Sequence, residues 1–431
     1  MRHDGMGRPR GSSGGGPRAW LERARSAADV ARGAVSALQR IAGTPSSPRS
    51  RVTDPPGARP RPFGVNVAGY FASEKGVGEA VRSDVRSLVA AAVPHVVCDF
   101  ADTCGSTNPI VVQAPPGSEV FAFNLVHVNA DQTHVFVGGK SADWFEGRTN
   151  IGFWVWELED FPSRWRSCFE YFDEIWTPSR FAQEAISRSS PVPVLRFPHS
   201  IDVDRGAVPK WRRADLGIPD GAFVFLFMFD YYSVFERKNP LGLVEAFRRA
   251  FPREAGVWLL IKTSHSEHDR ANAGRLARAI RGANVRVIDE VLGSERTLGL
   301  YDLCDAYVSL HRSEGFGMTL AEAMSFGKPV IATEYGGNVD FQNQANTLTV
   351  PFELRPLEED HGPYAKGSSW AHPILDRAAE LMRFLVNNPA SAAALGARAR
   401  ADVHRQLHPR TVGAAMALRL GLLAERRGGG R

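Results

Sequence analysis

Cysteine is scarce in this chain. Its four residues, Cys98, Cys104, Cys168 and Cys304, form no C-x-x-C pair. A disulfide scaffold is therefore excluded, and a reducing cytoplasm is the expected compartment. Long apolar runs are missing too: no stretch of about 18 or more residues is apolar enough to span a bilayer as a helix. The first ten residues, Met-Arg-His-Asp-Gly-Met-Gly-Arg-Pro-Arg, hold no apolar core of a secretory signal. No G-x-G-x-x-G opens the first helix and no Walker A run occurs, so NAD and P-loop chemistry lack a signature. No serine nucleophile elbow is present. His265-Ser-Glu-His268 does not have the spacing of a helical zinc motif. A basic stripe across the body is absent as well. Residues 1–60 hold eleven Arg against four acidic residues, a net +7; with +5 for the whole chain, residues 61–431 carry −2. The positive charge sits in the tail, which argues against a nucleic-acid-binding body.

What remains is enough for two domains with full cores: 431 residues, 43% hydrophobic. Residues 1–17 and 43–60, rich in Gly, Ser, Pro and Arg, are expected to bury no core. Between them, Trp20, Ala24, Ala27, Ala31, Val35 and Leu38 recur at helical spacing, with Arg23, Arg25, Arg32 and Arg40 outside the stripe. A helix over 18–42 follows. Contact with an anionic membrane surface and a weakly ordered tail helix are both open readings of it.

From residue 61 onward, apolar runs alternate with helical patterns. In the first half, strands are expected at 63–69, 93–97, 119–124, 134–137, 150–156 and 192–197. Helices are expected at 77–91, 163–171 and 179–187. A linker near 202–220 precedes Ala222-Phe-Val-Phe-Leu-Phe-Met-Phe-Asp230, the continuous apolar run of a central parallel strand. Alternation resumes through 240–250, 257–262, 270–280, 285–289, 295–302 and 306–310. An irregular stretch, 334–372, and closing helices complete the chain. This predicts an α/β protein with two parallel-sheet domains, 61–205 and 206–405, and a final segment, 406–431. Two such halves place a ligand in the cleft between the carboxyl ends of their strands.

Four strand-end loops carry candidate chemistry. Gly76 and Gly78 allow close backbone approach at the first helix start, where turn chemistry and ligand contact are equally compatible. His127, Asn129 and Asp131 crowd a second strand end. Arg237 and Lys238 precede the helix that holds Pro240 in its first turn, a placement that suits a diphosphate. The fourth loop is the most specific: Ser309-Leu-His-Arg-Ser-Glu-Gly-Phe-Gly-Met-Thr-Leu-Ala-Glu-Ala-Met-Ser-Phe-Gly-Lys-Pro-Val-Ile-Ala-Thr333. It reads as strand, glycine loop, helix, turn and strand, with Glu314 on the loop and Glu322 one helical turn in. The helix start aims free N–H groups and a positive dipole end at whatever the loop admits. An anion site flanked by two hydroxyl-binding carboxylates suits a sugar nucleotide. Glu157 and Glu159, after a further strand, face either the cleft or the rim.

This segment resembles the E-x7-E signature of retaining glycosyltransferases with the GT-B fold, and over about 63–427 the chain looks like glycosyltransferase family 4. The resemblance implies two Rossmann-like domains facing across a cleft. The second would hold the nucleotide, and a last helix, about 408–426, would return to the first. It implies that Glu322 binds the ribose and Glu314 the donor sugar. Gly315, Phe316, Gly317, Met318 and Thr319 would surround the diphosphate, helped by Lys238 and, from the other domain, by Gly76 and Gly78. His127 is the candidate for the histidine near the sugar. The family commonly has an Arg five or six residues before the Lys; Tyr232 and Ser233 stand there, and Arg237 would substitute from its adjacent position. The implied activity is metal-independent, cofactor-free transfer of a hexose, with retention, from a UDP- or GDP-sugar to a glycan, glycolipid or other hydroxyl acceptor in cell-surface polysaccharide synthesis. A GT-B sugar-nucleotide epimerase and a non-catalytic nucleotide-sugar-binding protein are the alternatives.

Overall fold

The computed structural model describes residues 61–100, 120–203 and 208–429. The expected helix at 18–42 and its membrane contact lie outside them. Two six-stranded parallel sheets, each flanked by helices, make up the described chain. The first runs β2-β1-β3-β4-β5-β6. Its strands are β1 (Val65–Gly69), β2 (His95–Asp99), β3 (Phe123–His127), β4 (Thr149–Phe153), β5 (Glu174–Thr177) and β6 (Val194–Arg196). Helices α1 (Gly76–Ala90), α2 (Ala130–Gly138) and α3 (Arg180–Ser187) pack on it. The second sheet runs β12-β11-β10-β7-β8-β9. It comprises β7 (Phe223–Met228), β8 (Val257–Thr263), β9 (Val285–Asp289), β10 (Ala306–Ser309), β11 (Val330–Thr333) and β12 (Leu348–Val350).

The apolar run of β7 explains its central place. Val224, Leu226 and Met228 enter one core of the second unit, while Phe225 and Phe227 enter the other. A strand whose alternate residues are apolar on both sides is stable only between two helical layers. Those layers are supplied by α4 (Phe235–Lys238), α5 (Pro240–Ala250), α6 (Arg270–Ala279), α7 (Ser294–Leu303) and α8 (Met318–Ser325). Two later helices, α9 (Leu375–Asn387) and α10 (Pro389–Leu407), complete them. The last helix, α11 (Pro409–Gly429), leaves this unit and packs on α1: Val412, Met416, Ala417 and Leu420 share a core with Val81 and Leu88. Arg419 donates to the buried Glu174 carboxylate at 2.5 and 3.2 Å. No described helix is long and apolar enough to cross a membrane.

Two expectations are corrected. The segment 134–137 is helix rather than strand. Asn129 stands before its first turn, and only Ala130, Thr133 and Phe136 turn inward while Val135 stays exposed. The helix expected over 163–171 is present and winds as a 3-10 helix, Ser163–Tyr171. The stretch 334–372 is not irregular throughout: it contributes β12 and an antiparallel hairpin of β13 (Phe352–Pro356) and β14 (Ser369–Pro373).

Candidate active site

The short helix α4 ends at Asn239, whose backbone is left-handed at φ 54°. The Asn239 side chain accepts from Gly242 N at 3.3 Å, capping α5, and donates to Leu310 O at 2.8 Å. One residue thereby ties the start of α5 to the end of β10. The consequence is that Arg237 and Lys238 meet Glu314. Arg237 Nη1 donates to Ser313 O at 2.9 Å and to Glu314 Oε2 at 3.4 Å, and Lys238 Nζ donates to Glu314 Oε1. Burial alone would push the Glu314 carboxyl up; Lys238, Arg237 and His311 outweigh it and hold it near 2. Burial lowers Lys238, and the Glu314 charge offsets part of that. Glu314 is thus a fixed carboxylate, held by two cations that a donor diphosphate could also engage.

The loop after Glu314 is shaped by close backbone approach. A side chain at Gly315 would place its Cβ 2.3 Å from Val155 Cγ1 of the first unit. Ser179, the N-cap of α3, donates its hydroxyl to Gly315 O at 2.5 Å, and Ser313 donates to Glu157 O. Gly337 N donates to Glu314 O at 2.6 Å, and a Cβ there would lie 2.1 Å from Gly315 O. The Phe316 ring is buried between His199 and Phe341, leaving its backbone rather than its side chain for a ligand. Gly317, at φ 94°, opens α8 with no side-chain cap. Leu320 N and Ala321 N donate to Gly317 O, which leaves the N–H groups of Met318 and Thr319 for an anion. Glu322 follows, with Tyr301 donating to its Oε2 at 2.8 Å. Burial, then the charge of Glu79, push Glu322 up to about 7, while Tyr301 and Arg86 pull the other way.

From the first unit, His127 at the end of β3 gives Nε2–H to Asp84 Oδ2 at 2.7 Å and stacks on Phe153. Burial lowers the imidazole's pKa despite Asp84, so it is neutral and its Nδ1 is an acceptor. Burial would push Asp84 up, but His127 and His199 hold it below the usual carboxylate range. Gly76 faces open space, whereas a Cβ at Gly78 would meet Ser73 O at 2.0 Å. Gly78 is required by the turn itself. Asn129 accepts from Val155 N at 2.8 Å, and Asp131 is exposed in the first turn of α2. Glu157 turns to the cleft beside Arg237, hydrogen-bonded to Tyr364; burial raises it against the pull of Arg237. Glu159 stays on the rim, accepting from Tyr335 at 3.3 Å.

Sequence reasoning did not find Asp84, His199, Tyr301, His311 or Tyr364. His311 is fully buried, its ring bound to Ser309 Oγ at 3.0 Å and to Tyr335 O and Asn338 Oδ1 at 3.1 and 3.2 Å. A polar residue directly after an apolar strand is its only local signal. A wider depression of about 650 Å3 lies beyond the C-terminal end of α8, lined by Phe326, Arg400 and His404. It is at the opposite end of that helix from the anion-binding turn.

The loop, the cations and the uncapped helix all fall within one segment of known type. Residues 212–352 match the family model "Glycosyl transferases group 1". No curated protein sequence matches the chain. Solved structures share the architecture at low identity. Anabaena HepE in complex with UDP and glucose superposes with a TM-score of 0.60 at 15% identity, covering 83% of this chain and 99% of that one. Sucrose-phosphate synthase from Thermosynechococcus elongatus gives 0.60 at 15%, covering 86% and 100%. A Rickettsia africae glycosyltransferase gives 0.58 at 12%, covering 83% and 97%. The fold is therefore GT-B. With the group 1 match, which contains Arg237, Lys238, Glu314 and Glu322, it supports a glycosyltransferase.

Proposed function

We propose that the protein transfers a hexose, with retention, from a UDP- or GDP-linked sugar to a hydroxyl of a glycan or lipid-linked acceptor in cell-surface polysaccharide synthesis. The observation that carries this reading is the joining of Glu314 to Lys238 and Arg237 beside the uncapped start of α8, with Glu322 one turn further on. UDP is the first donor base to test, because HepE was solved with UDP and glucose.

In this reading Glu322 receives the ribose hydroxyls and Glu314 a donor-sugar hydroxyl. Lys238, Arg237 and the first turn of α8 meet the charge that grows on the leaving diphosphate. That set supplies the positive charge without a metal or cofactor. His127, through Nδ1, accepts from a sugar hydroxyl while Asp84 fixes its tautomer. The acceptor oxygen attacks the anomeric carbon on the face that the diphosphate leaves. The bond to the diphosphate oxygen breaks, and that oxygen takes the acceptor's proton. No separate protein base is required.

Thermal-shift measurements with UDP, GDP and ADP sugars, followed by NMR of the product's anomeric configuration, test the reading. One nucleotide sugar is expected to stabilise the protein by mass action. Lys238→Met is expected to cut kcat by about 100-fold, the scale of losing one charge-stabilising contact. A product of inverted configuration, or full activity in Lys238→Met, would refute the scheme.

A further inference from the structure

Beside the donor cluster, and sharing Arg237 with it, lies a second pocket. Its volume is about 210 Å3, and both units line it. The first unit contributes aromatic rings at the end of β4 and on the 3-10 helix after it. Trp156 and Trp165 stand at 90° to each other, 5.3 Å between centroids. The second contributes Tyr232 on the loop after β7 and Tyr364 on the hairpin connection, the latter 5.4 Å from Trp156. Two carboxylates, Asp131 and Glu157, share the lining with these rings.

Two buried donors of the same lining have no partner among the described residues: Trp154 Nε1 and Arg237 Nε. Neither atom is reached by solvent, so both belong to the wall behind the pocket rather than to its ligand-facing surface. Arg237 also donates from Nη1 to Glu314. An occupant of the pocket therefore lies one guanidinium away from the carboxylate assigned to the donor sugar.

The mixture of groups selects the ligand. Flat aromatic faces fit the C–H faces of a saturated ring. The two carboxylates accept from the hydroxyls of such a ring. Two carboxylates against the single Arg237 guanidinium disfavour a phosphate, and an acyl chain would leave every polar group unmet. The volume falls below that of drug-sized sites and suits a single ring. We propose that this pocket seats the terminal pyranose of the acceptor, so that the acceptor is a saccharide end rather than a lipid phosphate or a protein side chain. The proposal rests on the glycosyl-transfer reading for its role, though a pyranose site stands on the pocket alone.

The test uses tryptophan emission of the full chain, since three of the lining residues are Trp. Titration with methyl glycosides of glucose, galactose and mannose is expected to give a saturable change with at least one. Asp131→Ala, at an exposed position, is expected to weaken that response roughly tenfold, the effect of one lost charged hydrogen bond. Trp165→Ala should abolish it. Nucleotide stabilisation, measured on the same variants, should be unchanged. The proposal is overturned if no glycoside gives a response, if Asp131→Ala responds like the wild type, or if free UDP competes with the glycoside. Loss of nucleotide stabilisation in the wild type itself would instead refute the donor reading and leave the sugar site standing.

Discussion

Glu322 makes donor affinity depend on pH. Its carboxyl is raised to about 7 by burial, so near pH 6 it carries a proton in the free protein. A carboxylate that accepts from two ribose hydroxyls has to lose that proton first. With a pKa of about 7, roughly a tenth of the protein is competent at pH 6 and roughly nine tenths at pH 8. Affinity for the nucleotide sugar is therefore expected to rise about ninefold over that range. A nucleotide sugar suits the measurement because its diphosphate, esterified at both ends, holds no proton there. Titration calorimetry in buffers of different ionisation enthalpy should find about 0.9 proton released per ligand at pH 6 and about 0.1 at pH 8. Glu322→Gln should bind more weakly and show no slope. The same shift has a stability counterpart. A carboxyl raised in the folded state contributes stability below its ordinary pKa and loses it as pH rises through 7. The Gln variant, without ligand, should thus exceed the wild type above pH 7 by about 1–2 kcal/mol, allowing for the solvent that reaches this half-buried group. Wild-type affinity that is flat from pH 6 to 8, or a Gln variant that keeps the slope, would refute the reasoning.

Two further substitutions probe how the site is held. Gly413→Ala places a Cβ 2.0 Å from Ser87 O on the facing helix; backbone cannot yield as a side chain does, so α11 should lift from α1 at a cost of about 1–3 kcal/mol, read as a lowered melting temperature. Asp84→Ala removes the acceptor of His127 Nε2–H in a fully buried place; a loss of about 1–3 kcal/mol is expected in denaturant titration, together with reduced turnover at unchanged nucleotide affinity.

Features encoded by neighbouring residues were legible before the structure. The apolar run of β7, the Asn239-Pro240 start of α5 and the strand-loop-helix order around Glu314 depend on local pattern and lie where pattern puts them. Segment 134–137 was misread because His-Val-Phe-Val alternates like a strand. The decisive feature was the helix start at Ala130, after Asn129 had bonded Val155 N rather than a helical N–H. The pairings that complete the site were illegible for a different reason. Asp84 meets His127 across 43 positions, and Arg237 meets Glu314 across 77. Tyr364 reaches Glu157 from a hairpin that no periodicity announces. Such pairings are set by how elements distant in sequence pack, within each unit for the first two and between the units for the third, which single-segment reading does not contain.

The return of α11 also has a consequence for how the protein could be rearranged. Ile201 N donates to Leu407 O at 2.7 Å, so the chain leaves the first unit and comes back to it at points one hydrogen bond apart. Topologically the second unit is an insertion in the first, a cassette of about 208–407 with its own two cores. Neighbouring ends are the condition under which insertion and permutation succeed. The nucleotide-side half is therefore exchangeable as a block: cutting at those two junctions keeps α11 with α1 and leaves every strand of both sheets in its original order.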